Sequence, residues 1–166
     1  VCDANLVTFR ALADFWEIPR FVVDVPSGKD EDAVKYVEEQ LQQAVSFIEE
    51  QTKRKFPYEN LKQAIRRENR AMKLYKEYLA ELSRKDIPND GTSEMYKLFF
   101  THVLNGTAEA EQYFALLLED AKNSEEGTRR LRILWCHIIP YWQESIRELF
   151  HNSKRYQLLC TDLNFD

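Results

Sequence analysis

Leu131-Arg-Ile-Leu-Trp135 and Tyr156-Gln-Leu-Leu-Cys160 flank Tyr141-Trp-Gln-Glu-Ser-Ile-Arg-Glu-Leu-Phe150, and this succession decides the fold class. The outer runs are short and apolar, as buried strands are, and the middle run reads as a helix. A strand, a helix and a strand in that order predict a parallel pair, because parallel neighbours need a crossover that returns the chain to the same end of the sheet. The beginning of the sequence carries a similar mixture. Asn5 to Trp16 reads as a helix with Leu6, Phe9, Leu12, Ala13 and Trp16 along one side. Phe21-Val-Val-Asp-Val25, closed by Pro26, reads as a buried strand.

Between these ends the signals are helical. Asp30 to Gln51 places Val34, Val37, Leu41, Ala44, Val45 and Ile48 on one face. Asp30, Glu31 and Asp32 at its start and Lys53, Arg54 and Lys55 beyond its end suit the helix dipole, and Pro57 stops it. A second long helix is predicted from about Tyr58 to about Arg84, with Leu61, Ile65, Met72, Tyr75, Leu79 and Leu82 as its stripe and Glu68 in one slot. Two long helices on so short a link predict an antiparallel hairpin. Asp86-Ile-Pro-Asn-Asp-Gly91 is a loop, Ser93 to Leu104 a shorter helix with Asn105-Gly106 as its stop, and Thr107 a cap for a helix over Ala108 to about Asn123. Glu125-Glu126-Gly127 is a further break. A self-contained parallel sheet needs more strands than these, since both its faces must be covered. The expected fold is therefore α/β and predominantly helical, a helical segment flanked by partial parallel, Rossmann-like α/β domains.

Composition narrows the function. The 166 residues carry 28 acidic and 23 basic side chains, a net charge of −5, which argues against a nucleic-acid binder with its clustered basic face. Apolar runs such as Phe114 to Leu118 are far too short for a membrane span, and the opening Val-Cys-Asp, with charge arriving at once, does not read as a signal peptide. The first residue is valine, so a piece of a longer protein is one expectation. Three cysteines, Cys2, Cys136 and Cys160, form no short-spaced pair, which fits a reduced, cytoplasmic protein better than a zinc site or a disulfide scaffold.

Few residues stand out chemically. Cys2 sits just before an amphipathic helix, where unpaired backbone N–H groups and the positive end of the dipole favour a thiolate, the form that a metal ligand or redox centre needs. The plainer reading is that Asp3 or Asn5 caps the helix and Cys2 packs. Glu68 in an apolar stripe has Arg66, Arg67 and Arg70 beside it, which points to a structural role. His102, His137 and His151 lack the spacing of a metal site, and His137 reads as a packed histidine at a strand end. No P-loop, GxGxxG or GxSxG is present. Lys53-Arg54-Lys55 and Arg129-Arg130-Leu131-Arg132 are candidates for an anionic ligand, though most such runs are solvated faces.

Several segments together resemble a known family. Cys2-Asp-Ala-Asn-Leu, Phe21-Val-Val-Asp-Val-Pro26 with Lys29 to Leu41, Phe56-Pro-Tyr-Glu-Asn-Leu61 with Asn69, Gly106-Thr-Ala-Glu109, and Arg132-Ile-Leu-Trp135 with Pro140 follow in the order seen in 2-hydroxyacyl-CoA dehydratase and benzoyl-CoA reductase subunits. The resemblance implies an enzyme of anaerobic metabolism in the cytoplasm, a heterodimer whose two related subunits each bind a 4Fe-4S cluster. A separate ATP-dependent activator protein supplies low-potential electrons, and the substrate is an acyl-CoA thioester. In the dehydratases one electron turns the thioester carbonyl into a ketyl radical that expels the 2-hydroxyl. In the reductases the aromatic ring of benzoyl-CoA is reduced. The Cys-Asp-Ala-Asn form leans toward the latter branch.

Of this sequence only Cys2 falls on a family cluster-ligand position; Cys136 and Cys160 stay structural. A cluster of this kind needs about three thiolates from the subunit, so the resemblance implies that the others lie outside these residues and that this chain alone neither holds a cluster nor turns over substrate. It also implies a division into residues 1–28, the end of a first α/β domain, residues 29–126, the helical segment with its hairpin, and residues 127–166, the start of a second α/β domain. A different reading is a non-catalytic helical interaction module anchored by Trp16, Trp135 and Trp142, which would gather aromatics into an exposed patch, where a severed enzyme would expose cut sheet edges. A redox protein using Cys2 alone has no resolving cysteine nearby.

Overall fold

A computed structural model describes residues 3–127, 130–137, 140, 142–151 and 153–164, in two units, Val1–Tyr58 and Glu59–Asp166.

In the first unit, helix α1 (Asp3–Phe15) is followed by an irregular stretch and helix α2 (Glu31–Thr52). Asp30 caps α2 by accepting a hydrogen bond from the Ala33 amide at 2.8 Å, and Lys53, at φ 55°, ends it in the left-handed conformation. Glu49 then holds the outgoing chain, accepting from the Phe56 amide at 2.8 Å and from Lys55 Nζ at 3.2 Å. Those bonds, the backbone one above all, keep its carboxyl below the ordinary range. The stripe read from the sequence exists, but no residue of α2 is buried, and Val34, Leu41 and Ile48 are exposed. Phe21–Val25 forms no strand among the described residues, contrary to expectation. Side chains hold the segment instead, with Tyr36 donating to Asp24 at 3.1 Å and the Phe21 ring 5.7 Å from that of Phe47. A β-favouring run becomes a strand only where a neighbour takes its N–H and C=O groups.

The second unit contains α3 (Tyr58–Leu82, whose first residue closes the preceding unit), α4 (Gly91–His102), α5 (Ala108–Asn123), β1 (Leu131–Trp135), α6 (Glu144–Phe150), β2 (Tyr156–Thr161) and a 3-10 turn (Asp162–Asn164). Its main core is built from Tyr75, Tyr78 and Leu82 of α3 and Phe114, Leu118 and Ala121 of α5. The buried face of α3 runs through Ala71, Tyr75, Tyr78 and Leu82, whereas Leu61 and Ile65 of the expected stripe are exposed. Glu68 leaves the stripe to accept a hydrogen bond from the Gly106 amide at 3.1 Å, a structural use.

Gly106 adopts φ +71°, and a Cβ there would lie 2.8 Å from both the Cβ and the carbonyl oxygen of Ala64. Gly106→Ala combines a left-handed alanine with a backbone clash, so it should lower stability by about 2 kcal/mol or more, measured as a shift in urea midpoint. Thr107 follows as the cap of α5, its hydroxyl accepting from the Ala110 amide at 3.2 Å.

β1 and β2 pair in parallel, with a register shift between Ile133 and Leu134, and α6 forms the crossover, as the strand–helix–strand pattern predicts. A second apolar cluster, Phe150 and Leu158 with Ile133, Trp135 and Ile146 against them, joins helix to sheet. The described residues thus give a mostly helical chain with one small parallel sheet. No described helix is long and apolar enough to cross a membrane.

Candidate functional site at the carboxyl ends of the strands

In parallel α/β sheets, ligands bind beyond the carboxyl ends of the strands, where the loops are free to vary. Here those ends carry Cys136 and His137 after β1 and Asp162 after β2. The two exits are tied together. The His137 amide donates to Asp162 Oδ1 at 2.6 Å, and the Thr161 hydroxyl donates to the His137 carbonyl at 3.2 Å. His137 is held at φ 71°, a conformation costly for any residue with a Cβ, and its side chain is exposed rather than packed as expected.

Beneath this edge lies a buried polar cluster. Glu94 and Lys97, three residues apart on α4, pair at 2.7 Å with both side chains 1% exposed. Glu94 Oε1 also accepts from Asn89 Nδ2 at 2.8 Å, while Oε2 accepts from the Thr161 amide at 3.0 Å and Asn164 Nδ2 at 2.8 Å. Lys97 Nζ donates to Asn89 Oδ1 at 2.5 Å and stands 4.9 Å from the centre of the Tyr78 ring. One carboxylate therefore fixes the last residue of β2 and the turn beyond it.

Burial, the largest influence, pulls the Lys97 ammonium down, but the Glu94 carboxylate and Tyr78 together outweigh it and hold the pKa above the usual lysine value. Lys97 is accordingly charged at neutral pH and serves as a fixed cation rather than a base or nucleophile. Burial, with Glu94 nearby, pushes the Cys160 thiol up to about 11. Its nucleophilic thiolate is thus scarce at pH 8, whereas Cys136 is exposed. With Cys2 replaced by serine, one thiol should react rapidly with an aromatic disulfide reagent at pH 8, and its loss in Cys136→Ser is the check. Rapid reaction of Cys160 in the folded protein would contradict this assignment.

Cys2, the cluster-ligand candidate, lies outside the described residues; α1 begins directly after it in the sequence at Asp3. No group of three or more His, Cys, Asp or Glu among the described residues could hold a metal ion. The histidines stay apart. His151 contacts Asp90 at 2.9 Å, and His102 contacts the Thr101 hydroxyl at 2.8 Å. The second basic run is taken up by the fold, since Arg130 donates to Asp86 and the Ile87 carbonyl and Arg132 to the Ser83 carbonyl, while Arg129 is outside the described residues. A cleft of about 600 Å³ lies at the opposite, amino ends of the strands, where Arg130, Ser153 and Lys154 line it.

The sequence reading missed the Glu94–Lys97 cluster. Its one signal is the spacing of Gly91, Glu94, Lys97 and Thr101, a helical face that is buried although polar, while Tyr96 and Phe99 of the same helix are exposed. Apolar periodicity assigns these faces the other way round.

A family model described as 2-hydroxyglutaryl-CoA dehydratase, D-component, matches residues 1–165. The alpha subunit of (R)-2-hydroxyglutaryl-CoA dehydratase from Acidaminococcus fermentans is 27% identical over 133 residues, covering 77% of this chain and 28% of that protein. The (R)-phenyllactyl-CoA dehydratase alpha subunit of Clostridium sporogenes is 21% identical over 162 residues, covering 90% of this chain and 40% of that protein. The chain thus spans two fifths or less of these relatives. No solved structure matches the chain. With the family model running almost end to end over the chain, these residues belong to the 2-hydroxyglutaryl-CoA dehydratase D-component family.

Proposed function

We propose that the chain is part of an iron–sulfur subunit of a 2-hydroxyacyl-CoA dehydratase, which removes the 2-hydroxyl group and a neighbouring hydrogen from an acyl-CoA thioester as water. The observation that carries this reading is the family match over residues 1–165. Both relatives named above are dehydratase alpha subunits, which favours dehydration over reduction of benzoyl-CoA. A related second subunit, an ATP-dependent activator protein and a cytoplasmic setting belong to the same proposal, as does the division at residues 28 and 126. The tied strand exits at His137 and Asp162 are the part of this chain best placed to border the acyl-CoA, because they are hydrogen-bonded to each other and lie at the carboxyl edge of a parallel sheet.

The described residues do not fit a 4Fe-4S cluster by themselves. Cys160 is buried and protonated, and no group of three or more His, Cys, Asp or Glu among the described residues, Cys136 included, could hold a metal ion. In this reading Cys2 is one ligand and the remaining thiolates come from the rest of the subunit. Anaerobic iron and sulfide analysis of the subunit, expressed from its complete coding sequence, tests this. Cys2→Ala should lose most of the cluster iron and, with the partner and activator present, the conversion of 2-hydroxyacyl-CoA to enoyl-CoA. Unchanged iron content would remove Cys2 from the ligand set, and absence of dehydration in the unaltered subunit would remove the activity.

A further inference from the structure

The buried polar cluster stands where a third strand would lie. The Leu158 carbonyl accepts from Asn89 Nδ2 at 2.7 Å, and the Thr161 amide donates to Glu94 Oε2 at 3.0 Å. Both are β2 backbone groups satisfied by side chains rather than by a strand. Gln157 Nε2 also donates to the carbonyls of Lys85 and Ile87 at 3.2 and 3.3 Å, holding the 85–89 segment against β2. The outer edge of β2 is thereby filled, and its hydrogen-bonding groups cannot template another strand.

β1 is the opposite case. The Leu131 amide donates to the Arg155 carbonyl at 2.8 Å and so faces the β2 side. By strand alternation the amides of Arg132 and Leu134 face away, toward an edge with which no described strand pairs. Leu131 is 62% exposed and Leu134 57%, while Gln157, Leu158, Cys160 and Thr161 of β2 are all buried. The usual order is inverted, since the strand at the rim of a parallel sheet is ordinarily less covered than its inner neighbour.

We propose that the free edge of β1 receives a further strand of the same subunit, from polypeptide that this chain does not span, so that β2 is the terminal strand of the completed sheet and β1 an inner one. The length of the relatives selects this occupant, because the chain covers only 28% and 40% of proteins that it otherwise matches. A sheet of two parallel strands also buries too little to be complete in itself. The inference goes beyond the dehydratase reading and holds whichever acyl group is bound.

Amide hydrogen exchange, measured on the subunit expressed from its complete coding sequence, tests it residue by residue. Leu131 and Ile133, facing β2, should be protected in any case. Arg132 and Leu134 should be protected as well, exchanging roughly 1,000-fold or more below the rate of an unstructured amide, because an inner strand opens only with its domain. Fast exchange at Arg132 and Leu134 beside protected Leu131 and Ile133 overturns the proposal. So does protection that fades on dilution, which identifies a second copy as the occupant, or protection that appears only when the partner subunit is bound.

Discussion

Replacing Glu94 by alanine should destabilise the unit that contains it by about 3–5 kcal/mol, the effect of removing one partner from a buried ion pair. The loss exceeds a single interaction. Lys97 stays buried and charged without its counter-ion, and the Thr161 amide, Asn89 and Asn164 lose an acceptor in the same step. Lys97→Met should cost less, about 1–3 kcal/mol, because Glu94 then still accepts from Asn89, Thr161 and Asn164. The sign of the pH dependence follows from Lys97, whose folded pKa is raised above its ordinary 10.5. The stabilisation is fully present below that value and is lost as pH rises through the folded value, so Lys97→Met and the parent should converge only under strongly alkaline conditions. Equilibrium unfolding in urea, with an unchanged m-value, is the measurement. A Glu94→Ala variant within 1 kcal/mol of the parent would mean that the cluster does not hold the end of β2.

The second large effect is expected at Phe114, which is fully buried, with ring centres of Tyr75 and Tyr113 at 4.9 and 5.2 Å. Phe114→Ala removes the largest of the buried α5 side chains in the core shared with α3, and the helix backbones cannot close so wide a gap. The transfer and cavity contributions together predict a loss of about 3–5 kcal/mol. Phe114→Leu keeps much of the volume and should cost about 1–2 kcal/mol. The near-ultraviolet dichroism of the tyrosine cluster should weaken in the alanine variant before the helical far-ultraviolet signal does. A midpoint for Phe114→Ala equal to that of the parent would show that the α3–α5 contact is not the main core.

Much of the secondary structure was legible because local chemistry sets it. Asp30 and Thr107 accept from amides three residues on, and Gly106 takes the left-handed turn between two helices. All six described helices begin and end within about three residues of the bounds read from the sequence, and Leu131–Trp135 and Tyr156–Cys160 pair in parallel as the intervening helix requires. The run Phe21–Val25 was misread because its composition carries no information on whether a neighbouring strand exists. The candidate site was legible only in outline. A parallel pair implies an active carboxyl edge, but nothing local marks His137 and Asp162 as bonded across 25 positions.

Legible in the sequence alone are the order and extent of the helices, the crossover that makes the sheet parallel, and the family that the chain belongs to. Capping, periodicity and motif order act over a few residues and survive in a linear reading. Only the tertiary structure shows that α4 turns Glu94 and Lys97 inward and Tyr96 and Phe99 outward, that Glu68 serves a glycine amide, and that the outer edge of β2 is filled while no described strand pairs with that of β1. The reason is that a buried charge is stable only when partners from distant segments converge on it. Here Thr161 and Asn164 reach Glu94 across 67 and 70 positions, a convergence that no local pattern encodes.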